Sequence, residues 1–192
     1  MLVKNNSYLY CLGLGFILVI IAACAPISKE QCNLGDWYGI GLSDGMAGHT
    51  LSRLTQIQKK CAKTGVVVDL NQYKAGRSEG LKQFCTPQTA FSRGSKGYSN
   101  NNVCPSNVAT KFNTAYGYGY ALYAQKKKIK NIDSEIANVS QDLGEATEQD
   151  DDYYRLQRQL RRLAKEQSRL SVELGHMIAK TEIAMAKLLS QT

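Results

Sequence analysis

The sequence has few of the residues that build metal or catalytic centres. It contains two histidines in 192 residues, and His49 and His176 stand far apart. No two cysteines have the C-x-x-C spacing that is common in structural zinc sites. No nucleophile is paired with a base by any recognisable motif. We therefore expect no metal ion, no cofactor and no enzymatic activity.

Proline is also scarce, and its positions indicate the fold class. Pro26, Pro87 and Pro105 are the three prolines, and none interrupts a stretch with helical periodicity. Because proline breaks helix interiors, segments free of it are compatible with long helices. The sequence predicts an all-α protein.

The N-terminus has the layout of a secretory signal. Lys4 precedes an apolar run that ends in two alanines and Cys24, which is typical of a cleaved signal peptide. The ending resembles a bacterial lipobox, in which cleavage precedes a cysteine that becomes acylated. We predict a lipoprotein signal peptide over 1–23 and a lipidated tether over 24–31. An uncleaved membrane anchor is the alternative.

The residue after the lipid site and the charge distribution bear on location and partners. Ala25 stands where aspartate would indicate inner-membrane retention, so we expect an outer-membrane protein that faces the periplasm and is held by covalent lipid. Residues 24–119 carry 11 basic and 5 acidic side chains, whereas residues 120–192 carry 12 and 11. Basic charge outside the cytoplasm suits anionic lipids or glycans, and we expect no nucleic-acid partner.

Four cysteines remain when Cys11 leaves with the signal and Cys24 takes lipid. An even number in an exported domain predicts two disulfides, with three possible connectivities. We favour one pair that closes the Gly/Ser/Asn-rich loop predicted over 86–105, and a second pair formed by the other two cysteines. These pairs are Cys85–Cys104 and Cys32–Cys61.

The chain divides into a Cys/Gly-rich helical head over 32–105 and a long helical region over 106–192. In the head we expect helices near 34–48, 52–63 and 70–84. In the second region, apolar residues recur every three or four positions up to Ala146 and again from Tyr153. We predict an antiparallel coiled-coil hairpin whose first helix is capped by Ser106. One continuous helix that forms a homodimer is the alternative.

Two glycine-rich segments share one pattern. Residues 38–45 and 73–80 both read Tyr-x-x-Gly-x-Ser-acid-Gly, and Tyr116-Gly-Tyr-Gly119 is a weaker third copy. The first copy looks like a nucleotide-binding loop, but no strand precedes it. Spacing of i, i+3 and i+7 places the tyrosine and both glycines on one helix face, which favours close helix packing. The packing residues are Tyr38, Gly41, Gly45, Tyr73, Gly76 and Gly80.

The repeated acids Asp44 and Glu79 are interpreted as helix caps or as partners of Arg77 and Lys82. Cationic residues of the hairpin are interpreted as its solvated face, with an acidic partner as the alternative.

Two functions are compatible with these features. The first is a non-enzymatic outer-membrane lipoprotein that acts as an envelope structural or protein-interaction module, with a periplasmic or envelope protein as partner. The second is a module that binds peptidoglycan or lipopolysaccharide through the basic head. Its glycan contacts would be Trp37, Arg93, Lys96 and Tyr98.

The head also resembles a known family. The residues that carry the resemblance are the motif Asp-Trp-x-x-x-Gly-x-x-Asp-Gly over 36–45, the second repeat with Leu81, and four cysteines ending in Val103-Cys104-Pro105. Together they resemble a family of small proteobacterial lipoproteins known as a domain of unknown function, over about residues 30–125. The resemblance implies an exported, cysteine-stapled helical head followed by a coiled-coil tail. It implies no catalytic residues.

Overall fold

The computed structural model describes residues 27–190, and all regular secondary structure within them is α-helical, with no strand. Five short helices form the head, and two long helices follow. The predicted fold class is confirmed. The helices are α1 Lys29–Leu34, α2 Trp37–Met46, α3 Ser52–Ala62, α4 Leu70–Phe84, α5 Pro87–Ser95, α6 Ser106–Glu145 and α7 Tyr153–Ser190.

Local capping sets several of these boundaries. The Asp69 carboxylate accepts hydrogen bonds from the backbone N–H groups of Asn71 and Gln72, so α4 begins at Leu70 as predicted. The start of α6 differs from the prediction. Ser106 is its first residue rather than its cap, Pro105 holds the capping position, and no side chain caps this end.

The loop predicted over 86–105 is wrong in its first half, which forms helix α5. The Thr86 hydroxyl accepts a hydrogen bond from the N–H of Thr89, and Pro87 occupies the first turn, where its missing N–H costs nothing. Helix α5 then packs along α6 through Gly94. The glycine that suggested a loop is a packing residue. Of residues 86–105, the capping residue Thr86 and residues 96–105 remain outside helices.

The assignment of residues 27–31 to a tether is also wrong. Ile27 is 4% exposed and packs in the first core cluster. Ser28 and Gln31 form a capping box that starts α1. The head therefore begins at Ile27, and we define it below as residues 27–105. The predicted signal peptide and the lipid site Cys24 lie outside the described residues.

Each of the first two core clusters contains one disulfide. Cys32 and Cys61 are fully buried and bonded to each other in the first cluster. Cys85 and Cys104 are bonded in the second cluster. This is the connectivity favoured from the sequence. The first cluster includes Trp37, Leu54, Ile57, Val68 and Tyr73, and the second includes Leu81, Phe84, Ala90, Phe112 and Ala115.

Helices α6 and α7 form an antiparallel hairpin. The buried Gln125 side-chain amide donates to the carbonyl of Leu170 at 3.1 Å, while Val139 lies in one apolar cluster with Leu156 and Leu163. The turn between the helices is closed by Asp150, whose carboxylate accepts from the backbone N–H of Thr147 at 2.6 Å. The alternative of one continuous helix is therefore wrong.

The end of α7 returns to the head. Met185 and Leu188 pack against the second core cluster, which includes Phe84 and Ala90 of the head and Phe112 of α6. This contact holds the base of the hairpin. None of the helices between residues 27 and 190 is apolar over a long enough stretch to cross a membrane.

Candidate functional site

The glycines of the repeat lie where α2 and α4 cross. A Cβ atom at Gly41 would overlap the Tyr73 carbonyl, and one at Gly76 would overlap the Tyr38 carbonyl. Gly45 and Gly80 face the backbone of the opposite helix in the same reciprocal way. The two backbones are in contact along this line, so no room is left for a phosphate. The glycines of the repeat allow its two copies, in α2 and α4, to pack closely against each other.

A second crossing of this type joins α5 to α6. A Cβ atom at Gly94 would overlap the Tyr116 carbonyl, and one at Gly119 would overlap the Phe91 carbonyl. The weak third copy of the repeat thus packs against a helix that was not predicted. Gly117, in the same copy, faces away from this crossing, because nothing lies within 4 Å of a Cβ atom added there.

The buried polar centre of the head joins the two main copies. Tyr73 is fully buried, and its hydroxyl donates to Oδ2 of Asp44 at 2.7 Å. Nε of Arg53 lies 3.6 Å from Oδ1 of the same carboxylate. Burial and the hydrogen bond to Asp44 hold the pKa of Tyr73 well above its usual range. The tyrosine therefore stays protonated as a donor.

The partners of the two repeated acids differ from each other. Glu79 pairs with Lys82 at 2.6 Å on the surface, as predicted. The interpretation of Asp44 as a helix cap or as a partner of Arg77 or Lys82 is wrong, because its carboxylate is buried, accepts a hydrogen bond from Tyr73 and lies beside Arg53. Arg77 instead donates to the carbonyl of His49 at 2.8 Å.

A groove of about 690 Å³ opens beside this centre. Ser43, His49 and Arg53 lie on its wall together with Asp44. Both carboxylate oxygens of Asp44 already face a cation or a hydroxyl, so the groove presents an ion pair rather than a free base. No group of three possible metal ligands occurs anywhere in residues 27–190.

These features lie in a segment that other proteins share. Residues 36–121 match the family described as Protein of unknown function (DUF2799). The predicted resemblance to a domain of unknown function is thereby confirmed. No curated protein and no solved structure matches the chain.

The DUF2799 segment has clear structural limits. It begins at Asp36, whose side chain caps α2, and it ends within the first half of α6. It contains both glycine crossings and the Asp44–Tyr73 pair. The outer part of the hairpin and all of α7 lie beyond it.

Within the DUF2799 segment, the four residues predicted to contact glycan do not form one surface. Trp37 is 4% exposed and belongs to the first core cluster. The Arg93 guanidinium lies over the rings of Phe84 and Tyr98, at 5.2 and 5.5 Å from their centroids. Lys96 and Tyr98 are exposed. The structure thus brings Arg93, Lys96 and Tyr98 to one region and separates Trp37 from them.

Tyr73→Phe should destabilise the protein by about 2 kcal/mol, because the buried Asp44 carboxylate would lose its hydroxyl donor. The dependence on pH follows from the raised pKa of Tyr73. Above about pH 10 an unfolded tyrosine loses its proton while the folded one keeps it, so stability falls as pH rises. Tyr73→Phe should remove the part of this fall in stability that comes from the Tyr73 hydroxyl. Urea unfolding at pH 7 to 10.5 measures both effects.

The matched control is Tyr38→Phe, at the same position of the other copy. Tyr38 is 43% exposed, so we expect a change in stability within about 0.5 kcal/mol at pH 7. Equal losses for the two variants would contradict a special role for the Tyr73 hydroxyl.

Proposed function

We propose that this chain is an exported lipoprotein, anchored by lipid on Cys24 in the outer membrane, that acts as an envelope structural or protein-interaction module. The apolar N-terminal run that ends at Cys24 supports export and lipidation. Two disulfides within the head support an oxidising compartment such as the periplasm.

The observation that carries the interaction role is the free length of the hairpin. Helix α6 continues for about 20 residues past the buried Gln125, which corresponds to roughly 30 Å at 1.5 Å per residue. The contacts described between the head and the hairpin lie at the base of the hairpin, where α5 packs on α6 and the end of α7 meets the second core cluster. An antiparallel pair of this length presents long exposed helix faces, a geometry used to bind other helices.

The experiment that tests this role is photo-crosslinking in living cells. A photoreactive residue replaces Arg158 on the hairpin in one strain and Lys96 on the head in a second strain. Both positions are exposed, so neither replacement should disturb the fold. We expect a discrete protein adduct from position 158. Absence of any protein adduct there, with a normal level of folded protein, would overturn the proposed role.

A second candidate is glycan binding by the head. One specific observation favours it: Tyr98 is 56% exposed beside Lys96 and Arg93, and its backbone carbonyl accepts a bond from the Tyr116 hydroxyl at 2.9 Å. An exposed aromatic ring beside cations suits an anionic sugar. Glycan adducts from position 96, with position 158 silent, would make the head the functional part and the hairpin a spacer.

A further inference from the structure

One face of α7 carries a long row of cations. We call it the outer row, and the positions of its members differ mainly by three, four or seven, which places them on one side of the helix. From residue 158 to residue 187, the row extends along about 45 Å of the helix. The outer row consists of Arg158, Arg161, Arg162, Lys165, Arg169, Lys180 and Lys187, all exposed.

The outer row points away from α6. Leu156, Leu163 and Leu170 are the buried residues of α7 and mark the side that packs on α6. At 100° per residue, the row lies roughly 100–160° around the helix from this seam. Nothing else in residues 27–190 is packed on that face, since its members are exposed.

The row is not neutralised within the described part of the chain. Arg169 pairs with Glu166 at 2.7 Å and approaches Glu173 at 3.6 Å. Arg158, Arg162 and Lys165 make no ion pair there. Like charges three or four residues apart on a helix repel each other and destabilise it. The isolated hairpin is therefore less stable because of the row, and an acidic partner would reverse that cost.

Apolar side chains interrupt the row. Val172 is 63% exposed and Ile183 is 73% exposed, and both lie on the same face as Arg158 and Arg169 by helical spacing. A purely ionic ligand would leave these two side chains in water. The face therefore combines two apolar sites with flanking cations.

We propose that the outer row binds an acidic amphipathic α-helix of another protein, which lies along α7 as the third helix of a bundle. The inference rests on the proposed interaction role and names the partner's chemistry. Carboxylates at three- and four-residue spacing meet the cations, and apolar residues of the same helix cover Val172 and Ile183. Four of the five cations between 158 and 169 are arginines, which bind carboxylates in a bidentate manner.

Two other occupants fit the face less well. If a second copy of this chain docked through the same face, the seven cations of one row would face the seven cations or the apolar residues of the other. The two rows would repel each other. A membrane surface favours a helix with a broad apolar face and aromatic residues. Between residues 158 and 187 this face offers one valine and one isoleucine as large apolar groups and no phenylalanine, tyrosine or tryptophan; the exposed Tyr154 lies one turn before the row. A straight, narrow row suits another rod-shaped element.

The test uses the full lipidated chain in detergent and two synthetic helical peptides of about 30 residues. In the matched peptide, glutamates follow three- and four-residue spacing on one face, with leucines placed to meet Val172 and Ile183. The permuted peptide has the same composition with its glutamates distributed around the helix. Fluorescence anisotropy should show about tenfold tighter binding of the matched peptide, weakening with added salt.

The variants locate the binding face. Arg158→Glu/Arg162→Glu/Lys165→Glu should reduce the affinity for the matched peptide by about tenfold or more. The control, Lys126→Glu/Lys127→Glu/Lys130→Glu, makes the same charge change at exposed positions of α6 and should leave most of the binding intact. Circular dichroism checks that both variants stay folded.

Several outcomes would overturn the inference. The first is equal affinity for the matched and the permuted peptide, and the second is an equal loss of affinity in the two charge-reversed variants. The third is binding to phosphatidylglycerol vesicles that depends on the row, without discrimination between the peptides. The fourth is a homodimer in sedimentation that the row substitutions abolish. If the peptides are not discriminated but position 158 still crosslinks a protein in cells, the inference fails and the interaction role stands. If the peptides are discriminated but no protein crosslinks, the interaction role fails and the binding chemistry of the row stands.

Discussion

Gly76→Ala should lower the melting temperature of the protein by roughly 10 °C. A Cβ atom at Gly76 would overlap the backbone carbonyl group of Tyr38 in α2. Unlike a side chain, this group cannot move aside by changing rotamer. Helices α2 and α4 would have to separate, which disturbs the crossing along its length, including Gly41 and Gly80. We expect a loss of roughly 3 kcal/mol, the upper part of the range for overpacked cores.

The same chain offers matched controls for this substitution. Gly117 and Gly175 also lie inside helices, but nothing stands within 4 Å of a Cβ atom added to either. Alanine there should raise stability by about 0.5–1 kcal/mol, because glycine lowers helix propensity. Thermal unfolding followed by circular dichroism compares the wild-type chain with Gly76→Ala, Gly117→Ala and Gly175→Ala. Equal melting temperatures for Gly76→Ala and the wild-type chain would show that the two backbones are not in contact.

Removal of the buried disulfide should have an effect of similar size. Cys32→Ala/Cys61→Ala opens a loop with a sequence separation of 29 residues, and the chain-entropy treatment assigns about 3–4 kcal/mol to a loop of that length. Both sulfurs also lie in the first core cluster beside Trp37 and Ile57, so the truncation leaves a cavity as well. Denaturant unfolding of the oxidised proteins measures the difference.

The other disulfide serves as the comparison. Cys85→Ala/Cys104→Ala opens a shorter loop, with a separation of 19 residues, and only one of its cysteines is buried. Its removal should cost less and should expose amide protons of α5 and α6 to exchange more than those of α1 and α3. Wild-type protein whose stability is unchanged by a thiol reductant would contradict both expectations.

The long helices and their pairing could be predicted because the relevant signals are local and repeated many times. Apolar spacing over some 40 residues averages out individual exceptions such as the buried Gln125. The acidic segment before Tyr153 breaks that spacing, and the turn forms there. Antiparallel packing then follows from a short connection between two amphipathic helices.

Helix α5 could not be predicted in the same way. Its nine residues include Gly94 and two serines, which lower helix propensity. What compensates is the contact of Gly94 with the Tyr116 carbonyl of α6, and residues 94 and 116 belong to different elements. The Thr86-Pro87 pair was the one local signal for a helix start in this stretch.

The two tyrosines of the repeat show the same limit within one motif. Tyr38 and Tyr73 occupy identical positions in their copies, yet the first is 43% exposed and the second fully buried. The difference arises because Tyr73 packs in the first core cluster with Cys32 of α1 and Cys61 of α3, whereas Tyr38 lies outside that cluster. No residue within the motif encodes it.

The sequence by itself determined the helical class, the division into a head and a hairpin, and the glycine faces, because periodicity and spacing act within one helix. The tertiary structure decided which helices meet, which copy of the repeat holds the buried Asp44, and where Ile27 and Trp37 are buried. Those outcomes depend on contacts between residues far apart in the chain. The free energy of such contacts depends on how neighbouring backbones fit together, and a linear pattern does not record that fit.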